Sequence, residues 1–259
     1  MKNLWRGFFF ILTTTLLIAC SEHEPTLESQ TDIKHVEIVN VEFPVEAQNR
    51  STPEFIPDYI SAKDLNTRFE QQSEPFIFDV RSSASFEKSH IQSALWVPYG
   101  NTEESDLMKI TSLGKDSEIV TYCGCPHHLS TLQAKYLKDL GYSNVKVLYD
   151  GFWVWKDSGF PTFYTETTQT TMLKFSGKLL SADNSANQTD VFLRHIKSGQ
   201  LEAARSTVDG TFSFDFHIYD YQPDDKFELM ITKLDTPVVK TFAPSMSDVD
   251  SRIHIDIFL

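Results

Sequence analysis

The tightest constraint in this 259-residue chain is a strand–loop–helix signature near its middle. Glu118-Ile119-Val120-Thr121-Tyr122 is a mostly apolar run, as a strand buried on both faces requires. The loop Cys123-Gly124-Cys125-Pro126-His127-His128 follows. Leu129, Leu132, Tyr136, Leu137 and Leu140 then recur at helical spacing, and Gly141 closes the pattern as a C′ glycine does. Phe76 to Val80, Ala94 to Pro98 and Val145 to Leu148 are three more strand-like runs. Strands alternating with helices predict an α/β fold with a parallel sheet.

Ligand sites of such sheets form at the carboxyl ends of the strands. Cys123 falls at one of these ends, just before a helix. Backbone N–H groups and the helix dipole there stabilise negative charge. A thiolate so placed is a nucleophile, and the same surroundings hold an oxyanion or a sulfur anion. The alternative is an inert buried thiol at the end of an apolar strand.

Asp79-Val80-Arg81, Phe86, His90-Ile91, Ala94 and Val97-Pro98 stand in order ahead of Tyr122-Cys123. Gly141-Tyr142-Ser143-Asn144-Val145, Gly151 and Trp155 come after it. This series resembles the rhodanese family over nearly the whole block from Pro57 to Pro161. The resemblance implies a five-stranded parallel sheet flanked by helices. It implies a nucleophilic cysteine, here Cys123, in a loop whose residues Gly124, Cys125, Pro126, His127, His128, Leu129 and Ser130 cradle the substrate. It also implies that Asp79 and Arg81 brace the active-site side of the sheet. The implied activity is that of a thiosulfate sulfurtransferase-like enzyme. It takes sulfur from a small donor, carries it as a Cys123 persulfide and passes it to a thiol or cyanide, without cofactor or metal.

The loop departs from the family pattern. It has about one residue more than the common sulfurtransferases, and it lacks their arginine. A longer cradle resembles rhodanese-fold phosphatases, but those clamp phosphate with an arginine. Leu129 stands in that place, which argues against phosphatase chemistry. His127 and His128 are the loop's cationic candidates, to attract an anionic donor or as idle loop residues. Ser130 and Thr131 are expected to cap the helix, with donation of a hydroxyl to the bound sulfur as the alternative role. Cys125 has three readings: a redox-active disulfide with Cys123, a resolving thiol for a persulfide, or a small loop residue.

Two segments flank this block. Met1 to Arg6 is a short basic head, and the apolar run from Phe8 ends in Leu17-Ile18-Ala19-Cys20. That is a secretory signal pattern, and its end resembles the lipobox of bacterial lipoproteins. It implies cleavage after residue 19 and lipidation of Cys20, which would attach the protein to the bilayer by acyl chains. The implied location is the cell envelope, facing the periplasm. Ser21 in place of aspartate resembles sorting to the outer membrane. Residues 20–52 are polar and acidic and read as a tether, with one strand candidate, Val36 to Val45.

Beyond residue 166 the period changes. Phe212, Phe214, Phe216 and Ile218 alternate with other residues after the turn signal Asp209-Gly210, and Ile253, Ile255, Ile257 and Leu259 alternate again. Phe175 to Leu180, Val191 to Ile196 and Phe227 to Ile231 add strands. An antiparallel sandwich of about seven strands is expected. It shows no reactive constellation, so its expected part is structural or the docking of an envelope partner, and the chemistry is expected to be independent of it. The divisions are thus 1–19 signal, 20–52 tether, 53–163 rhodanese-like domain and 166–259 all-β sandwich. A net charge of −13 argues against a nucleic-acid partner. Three cysteines do not make a disulfide scaffold or a four-ligand zinc site. Besides the sulfurtransferase, two readings remain open: a non-catalytic rhodanese-fold binding or scaffold module, and a Cys123/Cys125 dithiol redox protein.

Overall fold

A computed structural model of the chain describes residues 34–35, 41–42, 55–99, 104–124, 128–165, 170–180, 188–231, 238–244 and 252–258. Cys20, Cys125, Pro126 and His127 lie outside them. In chain order the elements begin with β1 (Lys34–His35), β2 (Val41–Glu42), β3 (Asp58–Ile60), α1 (Ala62–Glu70), β4 (Phe76–Asp79), α2 (Ser83–Lys88), β5 (Ser89–Ile91), β6 (Leu95–Trp96) and α3 (Glu104–Thr111). Then follow β7 (Ile119–Tyr122), α4 (His128–Asp139), β8 (Val145–Leu148), α5 (Gly151–Asp157) and β9 (Thr162–Tyr164). The remaining strands are β10 (Thr170–Leu180), β11 (Asp190–His195), β12 (Leu201–Arg205), β13 (Thr211–Tyr219), β14 (Phe227–Ile231), β15 (Val238–Phe242) and β16 (Arg252–Phe258).

Five strands form one parallel sheet in the order β3-β8-β7-β4-β6. All four residues of β7 are buried, as the central strand of a sheet covered on both faces must be. Cys123 therefore leaves the sheet from its middle. The helix that follows ends as its glycine requires. Gly141 takes φ +92°, its N–H donates to Lys138 O, and Tyr142 N–H donates to Leu137 O. Those two bonds make a Schellman closure of α4. The Asp150 carboxylate accepts from Ala62 N at 2.7 Å, tying the start of α1 to the end of β8.

The C-terminal strands make two facing sheets, β1-β16-β10-β13 and β12-β11-β14-β15-β2. Phe212, Phe214, Phe216 and Ile218 of β13 enter one core with Ile253, Ile255 and Ile257 of β16 and Phe227, Leu229 and Ile231 of β14. Burying this many large apolar side chains is the main drive for the sandwich, at roughly 1.5–3 kcal/mol per side chain. Two expectations are corrected. The sandwich is not wholly antiparallel, because β16 runs parallel to β10. Alternation tells which side chains face inward and is the same for either strand direction, so the pattern did not contain this. The segment read as a tether is not only a tether: β1 pairs with β16 and β2 with β15. Exposed sheet edges accept such short extended pieces through their backbone groups.

Candidate active site

Cys123 has no exposed surface. Its carbonyl accepts from Phe152 N at 2.9 Å, which fixes the start of α5 beside it. Its Sγ lies 3.5 Å from Ser130 Oγ, one turn into α4. Ser130 is also buried, and its carbonyl accepts from Thr121 Oγ1 at 2.9 Å. The hydroxyl thus faces the sulfur from a helix pinned to the central strand. Leu129 is buried in one cluster with Cys123 and Val80.

Asp79 and Arg81 form a buried ion pair at 2.6 Å beneath this site. Arg81 Nε also donates to Asp79, and Nη2 donates to Ser89 O at 2.6 Å. The guanidinium lies 3.9 Å from the centroid of the Phe152 ring. Burial works against the Arg81 charge, but the attraction of Asp79 and its hydrogen bond outweigh it and hold the guanidinium protonated. Tyr122 OH donates to Asp79 Oδ2 at 2.6 Å and accepts from Ile91 N at 3.1 Å. Burial and the Asp79 charge push the Tyr122 hydroxyl well above its ordinary value, so it stays a donor. The residue just before Cys123 is in this way anchored to strand β4 and to strand β5.

The sandwich, expected to stand apart from the chemistry, covers the site. Phe192 of β11 and Ala203 of β12 join Cys123, Val80 and Leu129 in one buried cluster, with Leu201 and Met230 packed against it. Phe192 stacks parallel to Tyr99. His217 of β13 stacks on Trp153 of α5, with ring centroids 4.3 Å apart. Burial lowers the His217 pKa, against Asp215 and Asp157, which favour its charge, and with Lys156, which opposes it. Tyr219 OH and Ser89 Oγ share a hydrogen bond of 2.7 Å, and Lys88 pairs with Asp220 at 3.2 Å.

His128, the described one of the two loop histidines, meets the sandwich. Its Nε2 lies 3.1 Å from Asp190 Oδ1 of the sandwich, and Arg205 Nη1 lies 3.2 Å from the same oxygen. Burial raises the Asp190 pKa, but the hydrogen bonds and charges of His128 and Arg205 outweigh it and bring it below the usual carboxylate range.

A further residue was not foreseen. Glu202 of β12 is 1% exposed. A β-carbon added to Gly124 would overlap Glu202 Oε1 and would come within 3.3 Å of Trp153 Nε1. A side chain after the cysteine would have to push the carboxylate end of Glu202 aside, so a strand of the sandwich comes close to the loop here. Among the described residues, no group of three or more His, Cys, Asp or Glu side chains gathers as a metal site would need. Among the described residues, the arrangement offers one thiol flanked by a hydroxyl, a glycine, apolar side chains and a buried carboxylate.

A sequence signal for the cover did exist. Val191-Phe192-Leu193 is a continuous apolar run, and all three residues are buried. In a sandwich open to water on its outer faces such a run should alternate, so the run marks a strand covered on both sides. Glu202 carries no comparable signal.

Comparisons with known proteins concern the α/β part of the chain. Residues 61–158 match the family model described as Rhodanese-like domain. Among solved structures, the rhodanese-like domain of an Anabaena sp. protein is 26% identical, covering 42% of this chain and 80% of that one, with a TM-score of 0.37. A Bacillus halodurans protein is 28% identical over 42% of this chain and 78% of that one, with a TM-score of 0.37. A thiosulfate sulfurtransferase from Pseudomonas aeruginosa is 25% identical over 41% of this chain and 20% of that one, with a TM-score of 0.36. The search of curated proteins finds no match.

Proposed function

Residues 61–158 form a rhodanese-like domain, and from that premise we propose that the protein is an envelope-anchored sulfurtransferase carrying sulfane sulfur as a persulfide on Cys123. The observation that carries this reading is the thiol itself. It leaves the central strand at its carboxyl end, with Ser130 Oγ 3.5 Å from the sulfur. The sulfur attacks the outer sulfur of a donor, and a thiol or cyanide later removes it. The hydroxyl of Ser130 can donate to the sulfur anion in either state. The Asp79–Arg81–Tyr122 network holds the strand end still while the thiol is exchanged.

The test is mass spectrometry of the purified protein after exposure to thiosulfate and, separately, to a low-molecular alkyl persulfide. One sulfur atom is expected to be gained from at least one donor and lost to thiol reductant. Cys123→Ser should gain none while keeping its unfolding midpoint. A folded wild-type protein that gains sulfur from neither donor overturns the reading.

Anchoring rests on Leu17-Ile18-Ala19-Cys20, with acylation at Cys20 and periplasm-facing attachment to the bilayer. Cys20→Ala is expected to leave the membrane fraction or to remain unprocessed in cell fractionation. Normal processing with membrane retention would sink this part.

A second reading is favoured by one observation, the complete burial of Cys123 beneath Phe192 and Ala203. On that reading the fold is a binding module, and the absence of sulfur uptake in the same experiment is its expected result.

A further inference from the structure

We propose that the stack of His217 on Trp153 is a proton-sensitive latch between the sandwich and helix α5, closed near neutral pH and released in mild acid. This does not rest on the sulfur-transfer reading.

The latch lies where the two layers meet. His217 stands on β13, and Trp153, 8% exposed, stands on α5. Their ring centroids are 4.3 Å apart, with the planes at 23°. The side-chain amide of Gln200, between β11 and β12, donates to His217 O and ties down the backbone behind the ring. Among the described residues His217 Nδ1 is closed off from water and makes no hydrogen bond.

A neutral imidazole loses little in this place, since one nitrogen is only an unpaired acceptor. In the protonated ring both nitrogens are donors, and Nδ1–H would share a full charge with neither acceptor nor water beside it. The face of Trp153 attracts a cation. However, Lys156 Nζ already lies 4.9 Å from the centroid of that ring, and two cations on one ring repel.

The other ionisable groups around the stack do not reverse this. Asp215 on the same strand and Asp157 on α5 favour the proton, but both are exposed, so water and salt screen their pull. Across the sheet, β10 places Met172 opposite His217. Tyr219 shares its hydroxyl hydrogen bond with Ser89, and Glu202 of β12 comes to Gly124 beside the Trp153 indole nitrogen. Burial prevails, with Lys156 acting in the same direction, and holds the imidazole below the ordinary histidine range.

Released into water, the ring takes up a proton at about pH 6.5. The contact is therefore worth most above that value and weakens as the pH falls through it. The α4 side of the interface responds otherwise, because a proton on His128 completes its ion pair with Asp190. Acid thus frees the α5 side and keeps the α4 side.

The test is hydroxyl-radical footprinting of the full chain, which reads the solvent exposure of each tryptophan by peptide mass. Between about pH 7.5 and about pH 5.5, labelling of Trp153 is expected to rise about threefold, while Trp155, buried on the same helix, stays constant. His217→Phe keeps an aromatic stack and cannot take a proton, so its Trp153 should label alike at both pH values. Constant labelling of Trp153 in the wild type, or an equal rise in His217→Phe, overturns the inference. A rise shared by Trp155 is unfolding rather than release and overturns it too. Should His217→Phe fail to fold, His217→Gln takes its place. If neither folds, the wild-type midpoint decides: it is expected below about pH 6.5, and a midpoint above that overturns the inference.

Discussion

Arg81→Leu is expected to destabilise the protein by about 3–5 kcal/mol, the usual cost of leaving one partner of a buried ion pair alone. Asp79 has no exposed surface, and Arg81 has almost none. Without the guanidinium, the Asp79 carboxylate keeps the Arg81-position backbone N–H at 3.0 Å and the Tyr122 hydroxyl, but no cation. Ser89 O loses its donor as well. For a chain of this size each kcal/mol moves the midpoint by roughly 2–4 °C, so thermal unfolding resolves the effect easily. The double variant Asp79→Asn/Arg81→Met removes both charges together and should be more stable than Arg81→Leu, because the penalty lies in the orphaned charge. Tyr122 precedes Cys123 and hangs from the same carboxylate, so alkylation of Cys123 should accelerate in Arg81→Leu. A loss below about 1 kcal/mol would mean that the network is relieved by water or by a shift of β5, contrary to this account.

Gly177→Val is expected to have a comparable effect on the other layer. Gly177 lies opposite Ile255 in the parallel pairing of β10 and β16. A β-carbon there would overlap the Ile255 carbonyl oxygen and would also crowd the end of the Phe212 ring. The first of these is backbone and cannot swing aside. Overpacking of this kind costs about 1–3 kcal/mol in ordinary cores and more where backbone must move, so about 3 kcal/mol or more is expected. Because the sandwich covers Cys123, the loss should also reach the thiol. Urea unfolding gives the stability, and the alkylation rate of Cys123 gives the coupling. Native stability of Gly177→Val would show that β16 can shift without cost.

Much of the fold was legible from local patterns. Strands β4, β7 and β8 are apolar runs, and α4 carries a helical period that ends at Gly141 as the sequence indicates. The alternating strands β13 and β16 were found by their period of two. Edge strand β12, Leu201-Glu202-Ala203-Ala204-Arg205, was missed because it has neither alternation nor a long apolar run. Strand β15, with its buried Lys240, breaks the pattern in the same way.

What the sequence by itself determined is the place of Cys123 at a strand end before a helix, a local fact carried by periodicity and spacing. The bracing part of Asp79 and Arg81 came from the family resemblance, and their ion pair is a finding of the structure. What only the tertiary structure decided is what surrounds that thiol. Glu202 reaches Gly124, Asp190 holds His128, and Phe192 closes over Cys123 because two layers dock by particular faces. Docking is decided by shape and charge matched between residues some sixty or more positions apart in the chain. No period along the chain records which faces will meet.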